Sequence, residues 1–428
     1  MSDKYSKNNN EFKLLSNQLT ENLNKSSIDS IINKLNILKK KYPADIRVYN
    51  LLSLFFNKNN NYHEAINVCK ESIYLFPKNS DTYCIMAESF LMLNMVEEAI
   101  DNYKKSISYN SNHYLSYYSL GCIMWTKLKI DEAIYNYKKV LDINPNFIEA
   151  QKLNQIIITN QKLKKIKCRF DLNNKITDNS VVKLCQKIQQ IIKVEKLNIE
   201  LEASQIHRKS IIKYNCNRHF EVFNTFNIIP ENCFGCYKIQ IEPKNVLELL
   251  KLYIVFDNLN LKKNLSRKCM LEYRLNVKGV YKGYVYCIGL EEAENTLKLF
   301  NPILDVTINT QISRLIKRGC SEFGLAYPEY TELNPDNPRF MNYKENWRAK
   351  EKIIDRKLKT KNPLIRKRDE SHLGITLKDA LIINNWLFYA KKIGDDSVNK
   401  ICKEVPYSHY MDKLLSEKIV NNLKPKRW

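Results

Sequence analysis

Glycine is scarce in this 428-residue chain, with only 9. None falls in a Walker or dinucleotide frame, so the backbone cradle that nucleotide-driven enzymes wrap around a phosphate is missing. Histidine numbers 6. His207, His219, His372 and His409 are scattered, and neither an HExxH nor a GxSxG frame occurs. No uninterrupted apolar run approaches the roughly 18 residues a membrane span needs, so no membrane partner is expected. The start, Met1-Ser2-Asp3-Lys4-Tyr5, lacks the apolar stretch of a secretory signal. A soluble cytoplasmic protein is therefore expected, with its 12 cysteines reduced.

What is abundant is lysine, asparagine, isoleucine and tyrosine. Lys and Arg total 69 against 46 acidic residues, a formal net charge of +23, and hydrophobic residues make up 44%. Such a charge points to an acidic partner such as nucleic acid. Runs such as Asn8-Asn9-Asn10 and Asn59-Asn60-Asn61 point instead to codon bias in an A/T-rich genome. Both readings stay open. The length allows two or three domains, each with its own core.

Internal repetition organises the first half. Ala65, Ala99 and Ala133 stand 34 residues apart, in the phrases His63-Glu64-Ala65-Ile66, Glu97-Glu98-Ala99-Ile100 and Asp131-Glu132-Ala133-Ile134. Parallel columns run Tyr49, Tyr83, Tyr117; Leu52, Met86, Leu120; Ser53, Ala87, Gly121; and Phe56, Phe90, Met124. Prolines recur at Pro43, Pro77 and Pro145, with Ser111 in the fourth place. Each unit reads as two amphipathic helices. Small residues let the axes approach, large apolar ones fill the groove beside them, and proline closes the unit.

The pattern closely resembles the tetratricopeptide repeat over roughly residues 46–147. The expected fold there is an α-helical solenoid of three repeats, with capping helices near 27–42 and 147–166. The resemblance implies a groove lined by the first helix of each repeat that holds a protein or peptide partner. By position its residues are Asn50, Leu54, Asn57, Cys84, Glu88, Leu91, Tyr118, Cys122 and Trp125. Some family members grip a terminal carboxylate there with Lys, Asn and Arg. The Leu, Glu, Cys and Trp of this chain suit an apolar anchor better, supplied by a partner or by the chain's own second half.

The second half reads as an α+β domain. Tyr237, Ile239 and Ile241 alternate with Lys238, Gln240 and Glu242, which predicts a half-buried strand ended by Pro243. A helix follows with Val246, Leu249, Leu250, Tyr253 and Phe256 in register. A second strand alternates at Cys269, Leu271, Tyr273 and Leu275, a third spans 281–288, a helix opens at Leu290, and a fourth strand covers 313–318. The order is βαββαβ, the ferredoxin-like arrangement.

RNA-recognition domains share that strand order. Their third strand carries alternating aromatics that stack on bases. Lys282-Gly283-Tyr284-Val285-Tyr286 resembles the start of that motif, making Tyr284 and Tyr286 candidate stacking residues. Val285, Cys287 and Gly289 depart from the rest of it. Tyrosines packed on their neighbours in a plain hairpin are the alternative.

Cys216-Asn217-Arg218-His219 and Cys233-Phe234-Gly235-Cys236 form the pattern C-x2-H-x13-C-x2-C. It resembles the ligand spacing of a structural zinc site, because two intervening residues let both ligands of a tight knuckle reach one tetrahedral ion. Zinc is the candidate cofactor on Cys216, His219, Cys233 and Cys236, with an iron–sulfur cluster as a variant. Buried inert thiols and a redox CxxC are the alternatives. Arg267-Lys268 and Lys317-Arg318-Gly319-Cys320 place basic residues at strand ends, where an anion can dock or water can solvate them.

These readings divide the chain into a disordered polar N-terminus (1–24), the solenoid (25–166), a cysteine-rich α+β domain (167–330), and a basic linker with a helical C-terminal region (331–428). The expected function is an adaptor that recruits a protein or peptide through its groove. The alternatives are a nucleic-acid-associated protein using the basic half, or an enzyme with a cysteine or metal centre near Cys233 and Cys236.

Overall fold

A computed structural model describes residues 14, 17–18, 25–166, 168–208, 214–259, 261, 265–274, 277–358, 374–402 and 404–423. The rest of the polar 1–24 segment, Lys167, Leu275, residues 359–361, Arg366-Lys367-Arg368 and His372 lie outside the described residues. The chain divides into two compact units, Met1–Ile157 and Ile158–Trp428. Among the described residues no helix is long and apolar enough to cross a membrane.

The first unit is a row of helices: α1 (Lys25–Lys41), α2 (Ile46–Lys58), α3 (Tyr62–Leu75), α4 (Ser80–Met92), α5 (Val96–Tyr109), α6 (Tyr114–Thr126), α7 (Ile130–Ile143) and the start of α8 (Ala150–Lys164). Packing is densest within the pairs α2/α3, α4/α5 and α6/α7. The repeated columns explain why. Ala65, Ala99 and Ala133 are wholly buried, where only a methyl fits between the paired axes. Gly121 stands where any Cβ would overlap the Tyr137 ring.

The connections are equally local. Asp45, Asn79 and His113 cap α2, α4 and α6 by accepting backbone N–H groups. Asn60, Asn94 and Leu128 take left-handed conformations, with φ of 60°, 59° and 59°, and turn each pair. Two of the three are asparagine, which tolerates that region best after glycine. The tyrosine column also has a structural use: Tyr49 Oη donates to the Pro43 carbonyl at 2.9 Å, and Tyr83 Oη to that of Pro77 at 3.1 Å.

The second unit contains α9 (Asp178–Val194), β1 (Gln205–Arg208), α10 (Cys216–Phe226), α11 (Glu231–Phe234), β2 (Cys236–Glu242), α12 (Val246–Asn258), β3 (Arg267–Leu271), β4 (Tyr281–Ile288), α13 (Leu290–Thr307), β5 (Ser313–Arg318), α14 (Phe323–Ala326), α15 (Arg348–Leu358), α16 (Leu377–Lys392), α17 (Ser397–Ile401) and α18 (His409–Leu423). Its sheet has the order β1-β3-β4-β2-β5, and every neighbouring pair is antiparallel. α12 packs on β3 and β4, α13 on β4 and β2, and the two helices touch each other. Ile239, Ile241, Val285, Cys269 and Leu271 are buried in this unit, each fully buried Leu or Ile contributing roughly 1.5–3 kcal/mol. Gly283 is needed because a side chain there would collide with Leu252 of α12.

Three features differ from the sequence reading. The sheet has a further edge strand, β1, only four residues long, and too short for an alternating signal to register. The span from Cys216 is a helix, not a metal knuckle, because Phe220, Phe223 and Phe226 join an aromatic cluster with Phe323 and Tyr330. Finally, β2 is not half-buried: Lys238 and Gln240 are 6% and 5% exposed. The sheet face away from α12 and α13 is polar yet covered, and periodicity alone cannot separate a polar interior from a solvated face.

Described residues after 331 pack into this same unit. Arg218 of α10 binds Asp355 and Glu351 of α15. Trp386 Nε1 donates to the Ser204 carbonyl at 2.8 Å, and Asn385 Nδ2 donates to the Leu201 and Ala203 carbonyls. Arg208 of β1 spans Asp257 of α12 and Asp379 of α16 in a buried ionic cluster.

Candidate functional site

Two sites emerge, one in each unit. In the solenoid the candidate groove residues sit on α2, α4 and α6, the first helices of the three pairs. Eight of them are half-buried; Cys84 is fully buried. Asn50 Oδ1 accepts from Thr82 Oγ1 at 2.8 Å, and Asn57 Oδ1 accepts from Ser89 Oγ at 2.8 Å. Their carbonyl oxygens therefore tie successive first helices together, and what they can offer a ligand is their NH2 donors. Tyr118 packs edge-on against Phe147 at 4.8 Å, while Cys122 accepts a hydrogen bond from Tyr137 Oη.

Glu88 sets the electrostatics of this face. Burial raises its carboxyl above the ordinary range, and no lysine or arginine among the described residues forms an ion pair with it. Cys84, beside it, is pushed up to about 12 by burial first and by Glu88 second. The sequence named Glu88 as a groove residue, but its lack of a counter-ion is visible only in three dimensions.

In the second unit a cavity of about 510 Å³ lies against the polar face of the sheet. Strand alternation and register place its walls: Lys238 stands opposite Tyr286, and Lys268 opposite Tyr284. The segments carrying Tyr214 to Phe220 and Gly319 to Glu322 line its other sides. Lys238 Nζ lies 5.1 Å from the Tyr284 ring centroid and Lys268 Nζ 5.3 Å from the same one. Lys238 also donates to Ser321 Oγ at 2.9 Å. Burial pushes Lys238 down to about 8 and lowers Lys268. Sequence reasoning marked Lys268 and Cys320 as strand-end residues but assigned Lys238 to solvent. The strand register is the signal that reunites them.

The candidate stacking residues face this cavity. Tyr284 is only 5% exposed, and the Tyr286 carbonyl accepts from Tyr214 Oη at 3.1 Å. They are tyrosines packed among their neighbours, and the open platform expected for bases is absent among the described residues. The reason is the covering segment at 214–220.

The four candidate metal ligands do not converge. Among the described residues no group of three or more His, Cys, Asp or Glu side chains is placed to hold a metal. Cys216 is exposed at the first turn of α10, whereas His219 is buried with Nε2 unpartnered. Burial lowers His219 to about 4, so the imidazole is neutral. Cys233 instead shares a thiol hydrogen bond with Cys320, which raises Cys233 and lowers Cys320. Cys236 packs against Gly319. Of these thiols Cys233 is buried, Cys236 and Cys320 are half-buried, and Cys216 is exposed.

Equivalent antiparallel helical pairs, stacked in sequence order, define the first unit as a helical-repeat solenoid. Residues 46–79 and 114–147 match the tetratricopeptide repeat model, and this segment is a tetratricopeptide-repeat solenoid. Its middle pair, α4 and α5, repeats the same design. Among solved structures, one of MamA is 22% identical over 40% of this chain and 93% of its own length, with a TM-score of 0.29. A second MamA structure is 18% identical over 43% of this chain and 92% of its own, again with a TM-score of 0.29. YrrB, described as a TPR protein with an unusual peptide-binding site, is 12% identical over 44% of this chain and 84% of its own, with a TM-score of 0.29. A comparison with curated proteins finds no match.

Proposed function

We propose that this protein is an adaptor that recruits a partner protein or peptide through its solenoid groove. Tetratricopeptide repeats support a protein-interaction role in general. The observation that carries the finer reading is Glu88: a half-buried carboxylate without an ion-pair partner among the described residues, on the same helix as Leu91, with Tyr118 and Trp125 at groove positions of the next first helix. A carboxylate held away from water gains most from an incoming cation or N–H donor. The fitting ligand is an extended peptide with a Lys or Arg facing Glu88 and an apolar side chain against the neighbouring aromatics. On this reading the second unit, whose βαββαβ core has the ferredoxin-like strand order, forms a second functional body in a cytoplasmic protein.

The test is a peptide array probed with the full chain and with Glu88→Gln and Tyr118→Ala variants. Peptides pairing a basic residue with a bulky apolar one should be retained by the parent chain. They should lose affinity about tenfold or more with Glu88→Gln, as expected for one charge-assisted hydrogen bond. A retained set that neither variant alters would refute the groove assignment.

A further inference from the structure

Several buried or half-buried cations of the second unit meet carboxylates: Lys251 meets Asp178, Lys282 meets Glu242, and Arg208 and Arg218 each bind two acidic residues. Lys238, like the buried Arg267 and Arg318, has no carboxylate ion pair among the described residues, and of these three it alone lines the cavity. Its side chain meets a serine hydroxyl and a tyrosine ring, and the residue is 6% exposed. Lys268, over the same ring, likewise forms no ion pair with a carboxylate among the described residues; its partner is Gln205 Oε1 at 3.4 Å. The other cation at the cavity, Arg274, is already matched by Glu272 and Glu322. By formal charge three cations meet two carboxylates around this cavity, and Lys238 and Lys268 are the two cations left without an ion pair among the described residues.

Such an arrangement is costly unless something brings the missing charge. We propose that this cavity binds a small phosphorylated molecule, with the phosphate dianion held by Lys238 and Lys268 and the remainder packed along Tyr284 and Tyr286. A dianion matches two point-charge ammonium donors. A volume of about 510 Å³ lies within the size range of small-molecule sites, whose few polar groups are set among apolar and aromatic walls. Ser321, which already holds Lys238 Nζ, keeps that ammonium oriented. Burial brings Lys238 down to about 8 against the opposing charge of Glu322. The enclosing segment at 214–220 favours a small molecule over a continuous polynucleotide, which needs an open track along the sheet.

The experiment uses the full chain and three probes: inorganic pyrophosphate, adenosine 5′-monophosphate and a 5′-phosphorylated RNA oligonucleotide, with adenosine as the phosphate-free control. Reductive methylation read by mass spectrometry reports the accessibility of each lysine. Pyrophosphate or the mononucleotide should protect Lys238 and Lys268 while leaving the exposed Lys317 unchanged, and adenosine should protect neither. By titration calorimetry, Lys238→Gln and Lys268→Gln should each weaken the bound probe by about tenfold or more, with an unchanged circular dichroism spectrum. Absence of protection by both small probes overturns the proposal. So does equal affinity in the double variant, or oligonucleotide binding tighter than the mononucleotide. The protection assay needs no substitution, so it decides the matter even if a variant misfolds.

Discussion

Replacing Asp379 by Ala should be among the most damaging single changes in the second unit. Arg208 bridges two carboxylates there. Its Nε and Nη2 meet Asp257 at 2.9 and 3.0 Å, and its Nη1 and Nη2 meet Asp379 at 3.0 and 2.9 Å. The Asp379 side chain is 1% exposed and that of Asp257 2%. Asp379 also closes the capping box of α16 with Thr376. Removing Asp379 leaves Arg208 paired with Asp257 but strips two charge-assisted hydrogen bonds from the buried guanidinium, costing about 2–4 kcal/mol, and the lost bond from the Thr376 backbone N–H adds about 1 kcal/mol. Asp379→Asn preserves the shape and part of the cap, so it should cost clearly less.

Urea unfolding followed by tryptophan fluorescence suits the test, because Trp386 is fully buried and packs edge-on at 6.5 Å from Tyr253, beside the cluster. Exposed Asp336→Ala serves as the control. A double-mutant cycle with Asp257→Ala should be non-additive by about 1 kcal/mol or more, since both carboxylates share one guanidinium. A cost below about 1 kcal/mol for Asp379→Ala would refute the claim that this cluster fastens α16 to β1 and α12.

Two further outcomes test other parts of the molecule. Gly121→Ala should lower the thermal stability of the solenoid by about 1–3 kcal/mol through overlap with the Tyr137 ring, outweighing the roughly 1 kcal/mol that alanine gains as a helix former; a raised melting temperature would show that the ring yields freely. His219 is held at about 4, below its ordinary value of 6.5, so the unfolded chain binds the extra proton between those values. Its contribution to stability is then complete above about pH 6.5 and is lost at up to about 1.4 kcal/mol per pH unit as the pH falls toward 4. His219→Leu should remove that slope from the parent curve in denaturant titrations at stepped pH; identical slopes would show that the imidazole is already charged.

The solenoid was legible in the chain because its structure is local. A period of 34 residues, small residues at the helix contacts and asparagine at two turns each act within a few tens of residues. The same locality made β2, α12, β4 and β5 readable from alternation and helical period. Cys216-x2-His219 and Cys233-x2-Cys236 misled for the opposite reason. Their spacing is local, but the partners are not: Cys233 meets Cys320, and His219 is buried on a helix whose phenylalanines join a distant aromatic cluster.

Lys238 shows the limit most clearly. By itself the sequence determined that its side chain lies on the opposite face from Ile239 and Ile241. Only the tertiary structure decided that this face is covered, that Lys268 and Tyr284 stand beside it, and that two ammonium groups share a cavity, neither in an ion pair among the described residues. The physical reason is that periodicity records which side a residue faces, whereas desolvation and charge balance depend on segments brought in from far along the chain.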